Sequence, residues 1–194
     1  MSAVFLAGLV VAGRRCVVMG GDREAETKTG LLVEAGATVV LIAKTLEPGL
    51  EALVKAQPAI EWQPREAVTD DTRDAFLVIS TPRDPSWSAA LFERAISPRG
   101  FLLCCIDQPD FCTFANVASV RRGPVQIGMS TDGEAPLLAS RLRQALEHSL
   151  DQDFTDFVER IATLRRTASP AERRAVIAHA LEGFEFDVSY KLPK

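Results

Sequence analysis

The chain has 194 residues, enough for one α/β domain with a smaller appendage. Apolar residues make up 47% and charged residues 25%, the balance of an ordinary soluble globular protein. A net charge of −4 and an isoelectric point near 5.3 exclude the basic surface that non-specific nucleic-acid binding needs.

The apolar stretch Ala3 to Ala12 lacks a basic segment ahead of it, and Arg14-Arg15 follow it instead. It reads as neither a signal peptide nor a membrane span. It is expected to pack ahead of the first strand. Strand then alternates with helix. Arg15–Met19 reads as a strand, about Arg23–Ala35 as a helix with Gly36 ending it, and Thr38–Ala43 as a second strand. A helix over about Pro48–Gln57 and a short strand near Ile60–Gln63 follow. Ala75–Ser80 is a strand, Trp87–Ile96 a helix between Pro85 and Pro98, and Phe101–Ile106 a strand. This alternation implies one parallel sheet.

The pattern changes after residue 112. Phe114–Val120 and Val125–Ser130 flank Arg121-Arg122-Gly123-Pro124, which predicts a hairpin. From Pro136 to about Leu181 the chain reads as helical, with Leu137, Leu138, Leu142, Ala145 and Leu146 on one stripe. Ser169-Pro170-Ala171-Glu172 has the form of a capped helix start. Phe184–Lys194 looks irregular. The reading is a nucleotide-type domain to about 112, a hairpin to about 132 and a helical tail.

The four cysteines are Cys16, Cys104, Cys105 and Cys112, without a Cys-x-x-Cys pair, and the histidines are His148 and His179. That spacing argues against a zinc site. It fits reduced, buried thiols in a cytoplasmic protein.

The turn Gly20-Gly21-Asp22-Arg23-Glu24-Ala25 sits between the first strand and its helix. A phosphate rests on such a helix N-terminus because free N–H groups and the helix dipole converge there. Glycines allow the tight turn and the close approach of the pyrophosphate. Here the position of closest approach holds Asp22. Two unit charges about 5 Å apart repel by roughly 3 kcal/mol at an effective dielectric near 20. A helix-capping role for Asp22 would turn that charge aside, and a plain strand-to-helix turn capped by Asp22 is the other reading. No acid ends the second strand to grip a ribose. Lys44 stands just past it, as a 2′-phosphate partner or a surface charge.

Asp107 ends the fifth strand, where open α/β sheets bind ligands. Edged by apolar residues, it would have a raised pKa and act as a general base. Alternatively it caps the turn before Gln108-Pro109. Ser130, Thr131 and Gly133 precede the Pro136 helix and suit an anionic ligand, or serve as turn residues. Arg121, Arg122, Arg141 and Arg143 either face anionic groups or are solvated.

These motifs together resemble the precorrin-2 dehydrogenase / sirohydrochlorin ferrochelatase family, also met as the N-terminal part of siroheme synthase. The resemblance rests on Gly13–Gly21, Lys28, Leu31–Ala37, Ala75–Thr81, Ile106-Asp107-Gln108-Pro109, Arg122-Gly123-Pro124 and Ser130–Pro136. They run in family order and span about residues 4–165. The resemblance implies an α/β fold: a Rossmann-like parallel sheet with a dimerisation β-hairpin and a helical C-terminal domain. Its divisions fall at 1–112, 113–149 and 150–194. It implies NAD-dependent oxidation of precorrin-2 to sirohydrochlorin, with Fe²⁺ or Co²⁺ insertion at the same site in some members. Asp107 matches the family's key aspartate. The cofactor residues implied are Gly20, Gly21, Asp22, Arg23, Ala43, Ser80 and Thr81, and the substrate-binding ones Ser130, Thr131 and Gly133. The family pairs through the hairpin and the following helices, which implies a homodimer. No methyltransferase region is present, so methylation is not expected.

Four positions depart from the family pattern. Asp22 replaces the third glycine and Glu24 a valine, both at the dinucleotide loop. An asparagine is replaced within Cys104-Cys105-Ile106-Asp107, and Asp132 replaces a glycine. The departures at the loop leave two alternatives: a chelatase that no longer uses NAD, or a non-catalytic tetrapyrrole or haem binder with Cys104, Cys105 or Cys112 as axial ligands.

Overall fold

The computed structural model describes residues 4–187 and 189–192. It divides into two compact units, 1–116 and 117–194.

The first unit is built on five parallel strands. They are β1 (Arg15–Met19), β2 (Thr38–Ile42), β3 (Ile60–Gln63), β4 (Leu77–Ser80) and β5 (Leu102–Cys105). Their spatial order is β3-β2-β1-β4-β5, and every neighbouring pair is parallel. Strands 1, 2, 4 and 5 are unbroken apolar runs because both faces are covered. Alternation splits their side chains into two cores. Cys16, Val18, Val39, Leu41, Ile79 and Cys104 pack with Leu32 and Leu50 of the helices α1 (Arg23–Glu34) and α2 (Pro48–Ala56). Val17, Met19, Val40, Ile42, Val78 and Leu103 pack with Leu91 and Ala95 of α3 (Pro85–Ala95). The strand order reverses direction between β1 and β4, which opens a crevice beyond their carboxyl ends.

Element boundaries follow local chemistry. Asp22 caps α1 by accepting from the Ala25 N–H at 2.9 Å. Ala35 is its C-cap, and Gly36 follows at φ +81°, the left-handed conformation that ends helices. Asp84 caps α3 through the Ser86 and Trp87 N–H groups, so the helix starts at Pro85 rather than at Trp87. Two 3₁₀ turns, Thr69–Thr72 and Pro109–Phe111, lie in stretches that show no helical periodicity.

The N-terminal arm departs from expectation. Only Val11 is buried, while Phe5 is 91% exposed and Val10 78%. The arm turns at Gly13, whose N–H donates to the Gly36 carbonyl. Ala3, also assigned to this packing segment, lies outside the described residues.

The second unit holds the hairpin β6 (Ala118–Arg122) and β7 (Val125–Met129) and three helices: α4 (Pro136–Ser149), α5 (Gln152–Thr167) and α6 (Arg173–Ala180). The first hairpin strand starts at Ala118, not Phe114, because Phe114 belongs to the sheet core, its N–H reaching the Leu103 carbonyl. The helical run is broken at Leu150-Asp151, where Asp151 caps α5 through the Phe154 N–H. Ser169 does not start α6. Its carbonyl accepts from Arg173 at 2.9 Å and its hydroxyl meets Glu172, so residues 170–172 form a turn ahead of the helix. Phe184–Asp187 and 189–192 carry no regular element; Val188, Pro193 and Lys194, part of the stretch read as irregular, lie outside the described residues. Among the described residues no helix is long and apolar enough to cross a membrane.

Candidate active site

Three loops meet the solvent at the carboxyl ends of β1, β4 and β5, and each carries residues singled out above. The β1 loop is held tightly. Gly20 has φ +125°, its N–H donates to the Ile42 carbonyl, and Gly21 accepts from the Glu47 N–H at 2.8 Å. A methyl group on Gly20 would lie 2.0 Å from Thr81 Oγ1, and one on Gly21 would lie 2.0 Å from the Thr45 carbonyl oxygen. Both glycines are therefore required by the protein's own packing across the β1–β4 and β1–β2 junctions. Ser80 and Thr81 are buried at the end of β4, with Ser80 Oγ accepting from Trp87 Nε1 at 3.1 Å. Ala43 is buried at the end of β2 and its carbonyl accepts from Trp62 Nε1 at 3.0 Å.

Asp22 takes the capping geometry. Its carboxylate is spent on the Ala25 N–H. The first-turn N–H groups of Arg23 and Glu24 point off the helix end, as they do at any helix N-terminus. These elements fit a dinucleotide phosphate: a tight glycine turn, a helix N-terminus and a carboxylate already engaged. Lys44 pairs with Glu66 at 2.9 Å on the exposed surface.

Asp107 corrects the expectation of an apolar setting. Its side chain is 67% exposed, and its Oδ2 accepts from Arg83 Nε at 2.8 Å and lies 2.7 Å from Arg83 Nη2. The backbone adopts φ +60°, which Asp tolerates better than most residues and which turns the carboxylate out of the strand line. Nor does the carboxylate cap the following turn, which closes through the Gln108 N–H on the Cys105 carbonyl. Gln108 Nε2 donates to the Pro82 carbonyl at 3.2 Å and ties the β4 and β5 loops together.

Arg83 was not among the sequence candidates. The Asp107 hydrogen bond, then the Asp107 charge, hold its guanidinium more firmly protonated, with smaller contributions from Asp22 and Glu24. Arg83 thus pairs with Asp107 and also feels the charges of Asp22 and Glu24. Its position three residues past the end of β4, beside Asp107 two residues past the end of the neighbouring β5, was the available signal.

In the second unit, Ser130 Oγ accepts from the Asp132 N–H at 3.1 Å and meets Asp132 Oδ1 at 3.2 Å. Asp132 has φ +50° and Gly133 φ +78°, and the Glu134 N–H closes the turn on the Thr131 carbonyl. Arg122 is structural rather than ligand-facing. It donates to the Leu150 and Glu147 carbonyls and satisfies the C-terminal end of α4. Arg143 pairs with Glu147, and Arg121 donates to Gln126.

Comparison with known proteins gives this arrangement a family. A family model described as "Putative NAD(P)-binding" matches residues 8–118. The chain belongs to that NAD(P)-binding family. A second model, described as "Sirohaem biosynthesis protein central", matches residues 122–149 of this family member. Siroheme synthase of Neisseria meningitidis serogroup C is 34% identical over 84% of the chain, which spans 35% of that relative's length. Siroheme synthase 2 of Yersinia pestis is 32% identical over 88% of the chain and 37% of its own length. The chain thus spans about a third of the curated relatives it matches. A solved structure titled "SirC, precorrin-2 dehydrogenase" superposes with a TM-score of 0.76 at 17% identity, covering 93% of this chain and 90% of the other. That likeness is one of fold. The glycine turn, Thr81, Arg83 and Asp107 all fall within the matched NAD(P)-binding segment, and Ser130, Thr131 and Gly133 within the central one.

Proposed function

We propose that this chain catalyses the NAD-dependent oxidation of precorrin-2 to sirohydrochlorin. The observation that carries the reading is the meeting of the Gly20-Gly21 turn, Thr81 and the Arg83–Asp107 pair at the carboxyl ends of one parallel sheet, in a chain whose two parts match the NAD(P)-binding and sirohaem models. When bound, the nicotinamide supplies the hydride acceptor. Gly20, Gly21 and the N–H groups of Arg23 and Glu24 hold the phosphates, and Ser80, Thr81 and Ala43 form the floor beside them. Asp107 takes the proton that leaves the macrocycle as its carbon–hydrogen bond is oxidised. Arg83 holds the Asp107 carboxylate in place until then, and it offsets Asp22 and Glu24 as the phosphates approach. Ser130, Thr131 and Gly133 bind substrate carboxylates. Incubation with precorrin-2 and NAD should yield sirohydrochlorin absorbance, and Asp107→Ala should lose at least two orders of magnitude in rate. No product at saturating NAD would refute the reading.

A second reading is favoured by the charge that the Asp22 carboxylate, although capping α1, still leaves beside the helix N-terminus where the phosphates would sit. In it the chain inserts Fe²⁺ or Co²⁺ into sirohydrochlorin without NAD, with Asp107 as proton acceptor. Metal insertion that proceeds without NAD and fails in Asp107→Ala would select it. We propose that the chain works as a homodimer in the cytoplasm. Leu137, Leu138 and Leu142 of α4 are exposed by 82%, 54% and 44%, an apolar strip suited to a second copy. Gel filtration at the monomer mass would contradict the dimer.

A further inference from the structure

Two thiols beneath the Asp107 loop take no part in the chemistry above. Along β5, alternation sends Cys104 into one core cluster and Cys105 into the other. Beyond Asp107 the chain reverses and runs back along β5. The Thr113 N–H donates to the Leu103 carbonyl at 2.8 Å, and Thr113 Oγ1 accepts from the Leu103 N–H at 2.7 Å. One residue earlier, Cys112 Sγ accepts from the Cys105 N–H at 3.2 Å. The reversal lays Thr113 against Leu103 and brings the Cys112 sulfur to the end of β5, where Cys104 lies. The two thiols are hydrogen-bonded to each other, and Asn116 Nδ2 donates to Cys104 Sγ at 2.9 Å.

The two sulfurs are unequal. Cys112 is half-buried, whereas Cys104 is 5% exposed. The Cys104 thiol donating to it, helped by the Cys105 N–H, holds Cys112 down to about 7 against the effect of burial. The same bond and burial keep Cys104 protonated. Cys16, without such a partner, is pushed up to about 11 by burial.

We propose that Cys104 and Cys112 form an oxidisable pair that a hydroperoxide converts to an intramolecular disulfide, closing the loop that carries Asp107. The Cys112 thiolate attacks the hydroxyl oxygen of the peroxide. The O–O bond breaks, Cys112 becomes a sulfenic acid, and the other oxygen leaves and takes a proton from water. Cys104 sulfur then attacks Cys112 sulfur. The S–O bond breaks, and the Cys104 proton departs with the hydroxyl as water. Two electrons pass from the two thiols to the peroxide. The thiol form of Cys112 donates to the carbonyls of Gln108 and Cys105, both at 3.4 Å. Those contacts bracket Asp107 and are given up when Cys112 is deprotonated or oxidised, and the disulfide then ties the far end of the Asp107 loop to β5.

The test treats the full chain with hydrogen peroxide, blocks free thiols, cleaves before Asp107 and Asp110 without reduction and weighs the fragments. The expected result is a fragment containing Cys104-Cys105 linked to one containing Cys112, two hydrogen masses lighter and released by dithiothreitol. Cys105→Ser should keep the link. Cys104→Ser should abolish it and leave a Cys112 sulfenic acid that dimedone traps. Free Cys112 after peroxide, a link that survives Cys104→Ser, or a link only between chains would each overturn the proposal. The mass of the unaltered chain decides the main point without a variant.

Discussion

In residues 4–116 the strands β1, β2, β4 and β5 are covered on both faces, whereas α4 in the second unit buries Ala139 but leaves Leu137, Leu138 and Leu142 exposed. The α5 and α6 helices likewise bury little, with Val158 buried in the first and no residue in the second. The sheet unit completes its own core. The second unit displays an apolar helix face that a monomer would leave in water. One part holds a rigid loop constellation, and the other carries the apolar strip on which the proposed homodimer rests.

The largest expected contrast is in the cores. Leu91→Ala, at a fully buried position packed on the sheet, should cost about 2–5 kcal/mol in urea unfolding. Leu138→Ala should change unfolding by no more than about 0.5 kcal/mol measured on the monomer, yet shift the gel-filtration profile towards monomer. Equal losses of stability would break the comparison.

Next comes the glycine turn. Gly20→Ala places a methyl against Thr81 Oγ1 at a positive φ and should cost about 1–3 kcal/mol. In Gly20→Ala with Thr81→Ala part of that cost should return, because the double variant removes the oxygen that clashes. Strict additivity would show that the two loops do not press on each other.

A smaller effect separates the two uses of Asp22. Asp22→Ala should cost about 1 kcal/mol through the lost cap, while Asp22→Gly should cost only about a few tenths. The smallest lies far from the site. Asp71 accepts two hydrogen bonds from Arg65, at 2.6 and 2.8 Å, and one from the Val68 N–H. The Arg65 bond chiefly, with the Val68 N–H, holds its carboxyl below the ordinary range, against a burial effect that raises it. A depressed folded pKa adds stability that is present above the unfolded value of about 3.9 and fades as pH falls through the folded one. Asp71→Asn should therefore lower the urea midpoint slightly at pH 7 and have no effect at strongly acidic pH.

Strands β1, β2, β4 and β5 were legible because burial on both faces writes continuous apolar runs. β1 and β3 fall on the residues expected, β2 and β4 differ by one or two at one end, and β5 by one at each end. The family and its α/β fold were likewise readable from motifs in order. Where side chains point was not. Asp107 stands among Cys105, Ile106 and Pro109 in sequence, yet its positive φ aims it at Arg83, some twenty-four residues earlier in the chain. Arg83 itself gains meaning only once β4 and β5 are neighbours. The N-terminal arm misled for the opposite reason: its residues are apolar, yet residues 5–10 are exposed.

The central claim is that the β1 turn still seats a dinucleotide beside the capping carboxylate of Asp22. Calorimetric titration of the full chain with NAD tests it most directly, run beside Asp22→Gly. The account predicts one NAD per chain for both, with the glycine variant binding about tenfold tighter or more as a repulsion of up to roughly 3 kcal/mol is relieved. No binding heat from either protein at millimolar NAD would contradict it.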